Sequence, residues 1–134
     1  MSYQVFVYGT LRKGCANHRL LRDGEFVGKS ELTGYEMWGL GSYPGITVSD
    51  NPESVVEAEL YTVSDETLLI LDKLEDFYGV NHPQNLYDRV LVEDHKNRKG
   101  WVYVFRKRLL SLPHFRKRAR KIESGVWPAK SLRS

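Results

Sequence analysis

The amino-acid sequence predicts an α+β fold built on a mostly antiparallel sheet. Three observations carry this. Most periodic segments alternate with period two and are rich in aromatic and β-branched residues. The helical patterns fall between them irregularly, rather than after every strand as a βαβ array requires. The 134 residues suit one domain with a single core, and no internal repeat divides them.

The elements follow in order. Residues 3–8 read as a buried strand, and the stretch VFVYGTLRKG then breaks into a Gly-hydroxyl turn over 9–14. Residues 16–22 suit a short helix. Strands are expected at 26–29 and 32–40, the second interrupted by Gly34 and Gly39, and GLGSYPG over 39–45 reads as a loop. Residues 55–63 form the clearest strand: Val56, Ala58, Leu60 and Thr62 face one way, and Val55, Glu57, Glu59, Tyr61 and Val63 the other. Ser64 and Asp65 are a helix start, with a helix expected to about residue 76. Residues 77–86 form a loop. Strands at 87–93 and 101–105 flank a polar turn over 96–100. A last helix is expected at 115–124, ending at Gly125. The domain therefore spans 1–125, and 126–134 read as a short tail.

Composition narrows the function classes. The chain is 41% hydrophobic and 12% aromatic, as a folded protein is. No apolar run approaches the ~20 residues of a membrane span, and no signal-peptide pattern opens the chain. A lone cysteine, Cys15, excludes an internal disulfide and any multi-cysteine metal site. These features suit the cytoplasm. The net charge of +3 is unevenly placed: residues 106–121 hold eight of the twenty Lys and Arg and no acid, leaving −5 on the remainder. Such a run reads either as a polyanion-binding surface or as a solvated helix face with a basic tail. The lack of interleaved aromatic residues favours the second, with no specific nucleic-acid binding expected.

The helix after Ser64 contains the most informative residue. At ~100° per residue, with Leu71 at the origin, Leu68 falls near 60° and Leu74 near 300°. Glu75 falls near 40°, inside the apolar arc, whereas Asp72 and Asp76 fall at its edge or beyond, where solvent is expected. A carboxyl placed among apolar groups has its pKa raised, which makes it a usable general base and acid near neutral pH. The competing reading is a structural Glu ion-paired to Arg89 or another base. Other chemistry is absent: no GxGxxG after a strand, no P-loop, no HExxH, and four scattered histidines without metal-ligand spacing. No metal or cofactor is expected. Cys15 near His18 reads as a small residue at a helix start rather than a catalytic thiolate.

The set VFVYGTLRKG, Asn17-His18, SYPG at 42–45, AELYTVSDETLLILDKLED at 58–76, YDRVLVE at 87–93 and WVYVF at 101–105, in this order, resembles the γ-glutamylcyclotransferase-like family. It is most similar to the branch of small bacterial proteins and γ-glutamylamine cyclotransferases that open with YGTL. The likeness covers roughly residues 3–106, and IESGVW at 122–127 is similar to the end of the small bacterial members. The resemblance implies a small mixed β-barrel with flanking helices. It implies that Glu75 is the catalytic Glu, since LDKLED matches the family's LDxLEG-type segment. It implies a substrate-binding turn at Tyr8, Gly9, Thr10 and Leu11, with Tyr43, Pro44, Gly45, Tyr87 and Arg89 as pocket walls.

Two positions depart from the family pattern: Asp76 stands where Gly is usual, and the loop after it is longer. The reaction implied is intramolecular aminolysis of a small γ-glutamyl compound, releasing 5-oxoproline and an amine without a cofactor. The alternative is a non-catalytic metabolite-binding module of the same fold.

Overall fold

A computed structural model of the chain describes residues 2–21 and 23–128. Arg22, the end of one expected helix, and residues 129–134 of the expected tail lie outside them. Eight strands and two α-helices are present among the described residues: β1 (Ser2–Val7), β2 (Glu25–Thr33), β3 (Tyr35–Gly39), β4 (Pro44–Val48), β5 (Val55–Ser64), α1 (Asp65–Leu74), β6 (Tyr87–Glu93), β7 (Lys99–Phe105), α2 (Pro113–Arg116) and β8 (Arg120–Ile122). Short 3-10 turns occupy His18–Leu21 and Lys107–Ser111.

A five-stranded sheet runs in the order β2-β5-β1-β7-β6, and a three-stranded sheet in the order β4-β3-β8. The pairings are antiparallel except β1 with β7, which run parallel at Val5 and Trp101. The α+β class with a mixed sheet is therefore observed. The barrel is not closed, because β2 and β6 end the larger sheet instead of pairing with each other.

β1 explains why VFVY is a continuous apolar run. Val5 and Val7 enter one core cluster with Tyr61, Val63, Leu71 and Phe105, while Phe6 and Tyr8 enter a second with Val56, Ala58, Leu60 and Val102. A central strand covered on both faces needs apolar residues at every position. β5 divides in the register its alternation predicts, with Leu60 on one side and Tyr61 and Val63 on the other.

α1 starts where the sequence places it. The Ser64 hydroxyl accepts from the Thr67 N–H at 3.2 Å, a cap worth about 1 kcal/mol, with Asp65 and Glu66 in the first turn. The helix buries Thr67, Leu68 and Leu71. Ile70 and Leu74 are 46% and 40% exposed, so the buried arc is narrower than their apolarity suggests and centres on the Thr67–Leu71–Glu75 row.

Four expectations change. The strands expected at 26–29 and 32–40 are divided at Gly34 instead, into β2 and β3. Residues 16–22 contain a 3-10 turn rather than an α-helix. The 39–45 loop shrinks to a tight connection, because β4 begins at Pro44 and the Leu40 N–H bonds the Tyr43 carbonyl at 2.8 Å. The expected helix at 115–124 is replaced by the single turn of α2 and by β8, which pairs with β3. The edge of β3 offers unpaired backbone groups that a short strand can satisfy, and this overrides the helical preference of the Lys- and Arg-rich segment.

The basic run is partly neutralised where it lies. Arg106 pairs with Asp88 at 2.9 Å, and Lys107 and Lys121 each lie 3.6 Å from an acid, Asp50 and Glu36 respectively. No helix among the described residues is long and apolar enough to cross a membrane.

Candidate active site

α1 ends on Glu75. Its N–H still bonds the Leu71 carbonyl at 3.0 Å, but its own dihedrals have left the helix. Asp76 follows at φ 52°, the left-handed residue that stops a helix and that Gly occupies most readily. Asp tolerates this region better than most residues, so the helix stop survives the departure from the family's Gly. The longer loop is ordered from within. The buried Asn85 amide oxygen accepts from the Tyr78 N–H at 2.7 Å, and its amide nitrogen donates to the Gly79 carbonyl at 2.8 Å.

The turn after β1 approaches Glu75 from the sheet. Asn17 holds it twice, donating its N–H to the Thr10 carbonyl at 2.8 Å and its side-chain amide to the Thr10 hydroxyl at 2.9 Å. The His18 ring contacts the Leu11 carbonyl at 2.9 Å. Among the described residues, none accepts a hydrogen bond from the N–H of Thr10 or Leu11. The Tyr8 hydroxyl donates to the Tyr103 carbonyl at 2.7 Å, which ties β1 to β7. The room beside Gly9 is taken by Pro44: a Cβ there would lie 2.6 Å from the Pro44 ring. Gly9 thus permits close packing of the β3–β4 connection, and the Tyr87 hydroxyl holds that connection by donating to the Pro44 carbonyl at 2.8 Å.

Between these elements lies a cavity of about 720 Å³. Its walls include Tyr8, Gly9, Thr10, Leu11, Tyr43, Pro44 and Tyr87, together with Glu75. Two residues expected there are elsewhere. Gly45 lies under Phe105 and Leu40, where a Cβ would come within 3.0 Å of both. Arg89 donates through Nη1 to both Asp72 oxygens, at 2.8 and 2.7 Å, with its guanidinium 5.1 Å from the Phe77 ring and 5.0 Å from the Trp101 ring.

That geometry also removes the structural ion pair considered for Glu75, because the Arg89 charge is spent on Asp72. The Tyr103 hydroxyl completes this pair by donating to Asp72 at 2.6 Å. No ion pair or side-chain hydrogen bond to Glu75 occurs among the described residues.

The electrostatics follow from that isolation. Glu75 is half-buried and faces the cavity. Burial, helped by the neighbouring Asp76 charge, raises its carboxyl to about 7. Near neutral pH it therefore exists in both protonation states. Burial also raises Tyr8 and Tyr87 well above the usual phenol range and raises Tyr43, so all three remain proton donors. Asp76, expected to face solvent, instead lines the cavity and is half-buried. Among the described residues no group of three or more His, Cys, Asp or Glu could hold a metal ion. A smaller polar recess of about 370 Å³, holding Glu36 and Lys121, contains neither Glu75 nor the turn.

Sequence reasoning missed several walls: Cys15, Ala16, Asn17, Leu74, Asp76, Leu86, Tyr103, Trp127 and Pro128. Asn17 was inside a quoted motif, and its amide was the available signal. Tyr103 shares a strand face with Phe105, but alternation alone cannot distinguish a core position from a cavity wall.

Comparison with known proteins places this geometry in context. The family model described as gamma-glutamyl cyclotransferase, AIG2-like, matches residues 5–129. The gamma-L-glutamyl-butirosin B gamma-glutamyl cyclotransferase of Niallia circulans is 34% identical over 105 residues, which are 75% of this chain but 65% of that longer protein. A putative gamma-glutamylcyclotransferase of Vibrio cholerae is 35% identical over 130 residues, covering 95% of this chain and 96% of its own length. The solution structure of protein ytfP from Escherichia coli superposes with a TM-score of 0.64 at 26% identity, covering 96% of this chain and 98% of that one.

Proposed function

The chain belongs to the γ-glutamyl cyclotransferase, AIG2-like family, and from that premise we propose that it converts a γ-glutamyl compound to 5-oxoproline and a free amine, with Glu75 as general base and acid. One observation carries the reading: an unpaired carboxyl, raised to about 7, opens into the cavity that the Tyr8–Leu11 turn also lines. Relatives whose names specify γ-glutamyl cyclotransfer support the same reaction class.

The steps balance without a cofactor. The substrate's α-ammonium is not nucleophilic, so Glu75 in its carboxylate form removes a proton. The amine nitrogen then attacks the γ-carbonyl carbon, forming the C–N bond of a five-membered ring and a tetrahedral oxyanion. The Thr10 and Leu11 N–H groups, which have no acceptor among the described residues, supply donors for this oxyanion or for the α-carboxylate. The old C–N bond breaks as the protonated Glu75 returns its proton to the departing amine. Glu75, again a carboxylate, then relays the second proton of the ring nitrogen to that amine, so that the lactam is left neutral, the amine leaves as an ammonium and Glu75 is regenerated. A group that must give and take one proton works best with a pKa near the working pH, and burial of Glu75 provides this.

The cavity's other task is to fold the glutamyl chain so that nitrogen meets carbonyl, a proximity effect. The Asn17 clasp and the Tyr8–Tyr103 hydrogen bond fix the turn against which it folds. The test is release of 5-oxoproline from a panel of γ-glutamyl amines, amino acids and peptides. Turnover of at least one member supports the proposal, and a panel left intact by folded protein contradicts it.

A further inference from the structure

The final described residues form part of the cavity rather than a tail. β8 pairs with β3, placing Ile122 opposite Met37 and Arg120 opposite Gly39. The chain then turns at Gly125, buried at φ 71°, where a Cβ would run into the Val55 carbonyl. The Gly125 N–H bonds the Ile122 carbonyl at 3.0 Å, and its own carbonyl accepts from the Glu57 N–H at 2.9 Å. This double anchor delivers Trp127 onto the second core cluster, over Gly39, with one ring carbon 3.6 Å from where a Gly39 Cβ would be. From there the half-buried indole lines the same cavity as Glu75.

Size decides what a wall in this position does. A γ-glutamyl group has nine heavy atoms. Even at about 30 Å³ each, the share of a water molecule in the liquid, it needs about 270 Å³. That is well under half of the roughly 720 Å³ available. The remainder must serve the leaving amine. Beyond the turn the walls include Ser42 and Asp76, but most of their area is flat or apolar, from Trp127, Tyr43, Pro44, Leu74 and Leu86.

We propose that Trp127 forms an aromatic wall for the leaving amine, and that the favoured substrates are γ-glutamyl amides of amines carrying a bulky apolar or aromatic group. The inference rests on the cyclotransferase reading above but uses a different residue and a different part of the cavity. An aromatic contact of this kind, lost on truncation, changes discrimination between a large and a small amine by about ten-fold.

The test compares γ-glutamyl-2-phenylethylamide with γ-glutamyl-methylamide, measuring kcat/KM by 5-oxoproline release and Kd by calorimetry. The unsubstituted protein is expected to favour the phenylethyl compound by ~10-fold or more. In Trp127→Ala the ratio of the two values collapses towards one, and in Trp127→Phe most of it returns. A protein that does not discriminate, or a ratio untouched by Trp127→Ala whatever happens to the absolute rates, overturns the proposal. The wild-type ratio alone decides the matter if the Ala variant fails to fold. If both compounds bind in the expected ratio and neither is cyclised, the reaction is wrong and the aromatic wall stands. Binding of neither removes both.

Discussion

Asp76→Asn tests whether the site's electrostatics work as described. The substitution removes one negative charge next to Glu75 and leaves the rest of the helix stop intact, because Asn adopts the left-handed region at least as readily as Asp. Asp76 now holds φ 52° and accepts from the Tyr78 hydroxyl at 3.0 Å, a contact an amide oxygen can keep. For adjacent carboxyls roughly 7 Å apart, Coulomb's law gives about 0.6 kcal/mol in water and about 2.4 kcal/mol at an effective dielectric constant of roughly 20. Asp76 is half-buried, at the cavity wall, so a value between these limits applies. The sign is fixed: a neighbouring anion raises a carboxyl, so removing it lets Glu75 ionise at lower pH.

The acid limb of the kcat/KM profile, expected near pH 7 in the wild type, should therefore move down by about half to one pH unit. At pH 6 the variant should be about three- to five-fold faster than wild type, and above pH 8 the two should converge. The assay is 5-oxoproline release on the best substrate across pH 5–9. An acid limb that stays in place or moves up would refute the reasoning. The helix projection alone turns Asp76 towards solvent, whereas it lines the cavity beside Glu75.

Two further substitutions probe the frame. Gly9→Ala puts a Cβ within 2.6 Å of the Pro44 ring, so thermal melting should register a loss of about 1–3 kcal/mol, and KM should rise because the displaced Pro44 and Tyr43 are cavity walls. Arg89→Ala leaves Asp72, whose side chain is 14% exposed, facing Tyr103 without its cation; chemical denaturation should show a loss of about 3 kcal/mol, with kcat of the folded fraction reduced far less than in Glu75→Gln.

How far the sequence foretold all this differs from residue to residue. The β5 alternation and the Ser64 cap were legible because they are local: a period of two and a hydroxyl before an apolar repeat are visible in the chain itself. Glu75 was legible because one helical phase relates it to Leu71 and Leu68, both buried. β4 was hidden by the Tyr-Pro-Gly run, which reads as a turn, yet Pro44 is the first residue of a strand, where a missing N–H costs little. The C-terminal basic segment was misread as a helix because Lys and Arg favour helices, whereas its fate was set by the free edge of β3, a non-local fact. The Arg89–Asp72 pair and Trp127 depend wholly on tertiary placement. Their sequence separations of 17 residues from Asp72 and 52 from Glu75 give no periodic signal.

The most direct measurement on the central claim is 5-oxoproline release by Glu75→Gln at neutral pH, paired with its stability as a function of pH. The amide keeps the side chain's shape and cannot accept a proton, so turnover should fall by ~10²-fold or more. In the wild type, the folded protein holds the Glu75 carboxyl at about 7, above its unfolded value near 4.5. The unfolded chain therefore releases that proton first, and wild-type stability falls as pH rises from about 4.5 to 7, by about 3 kcal/mol. The Gln variant lacks that fall, so it should be the more stable protein at pH 8 while being nearly inactive. A folded Glu75→Gln protein that cyclises its best substrate at close to the wild-type rate would contradict the assignment of Glu75 as the catalytic base.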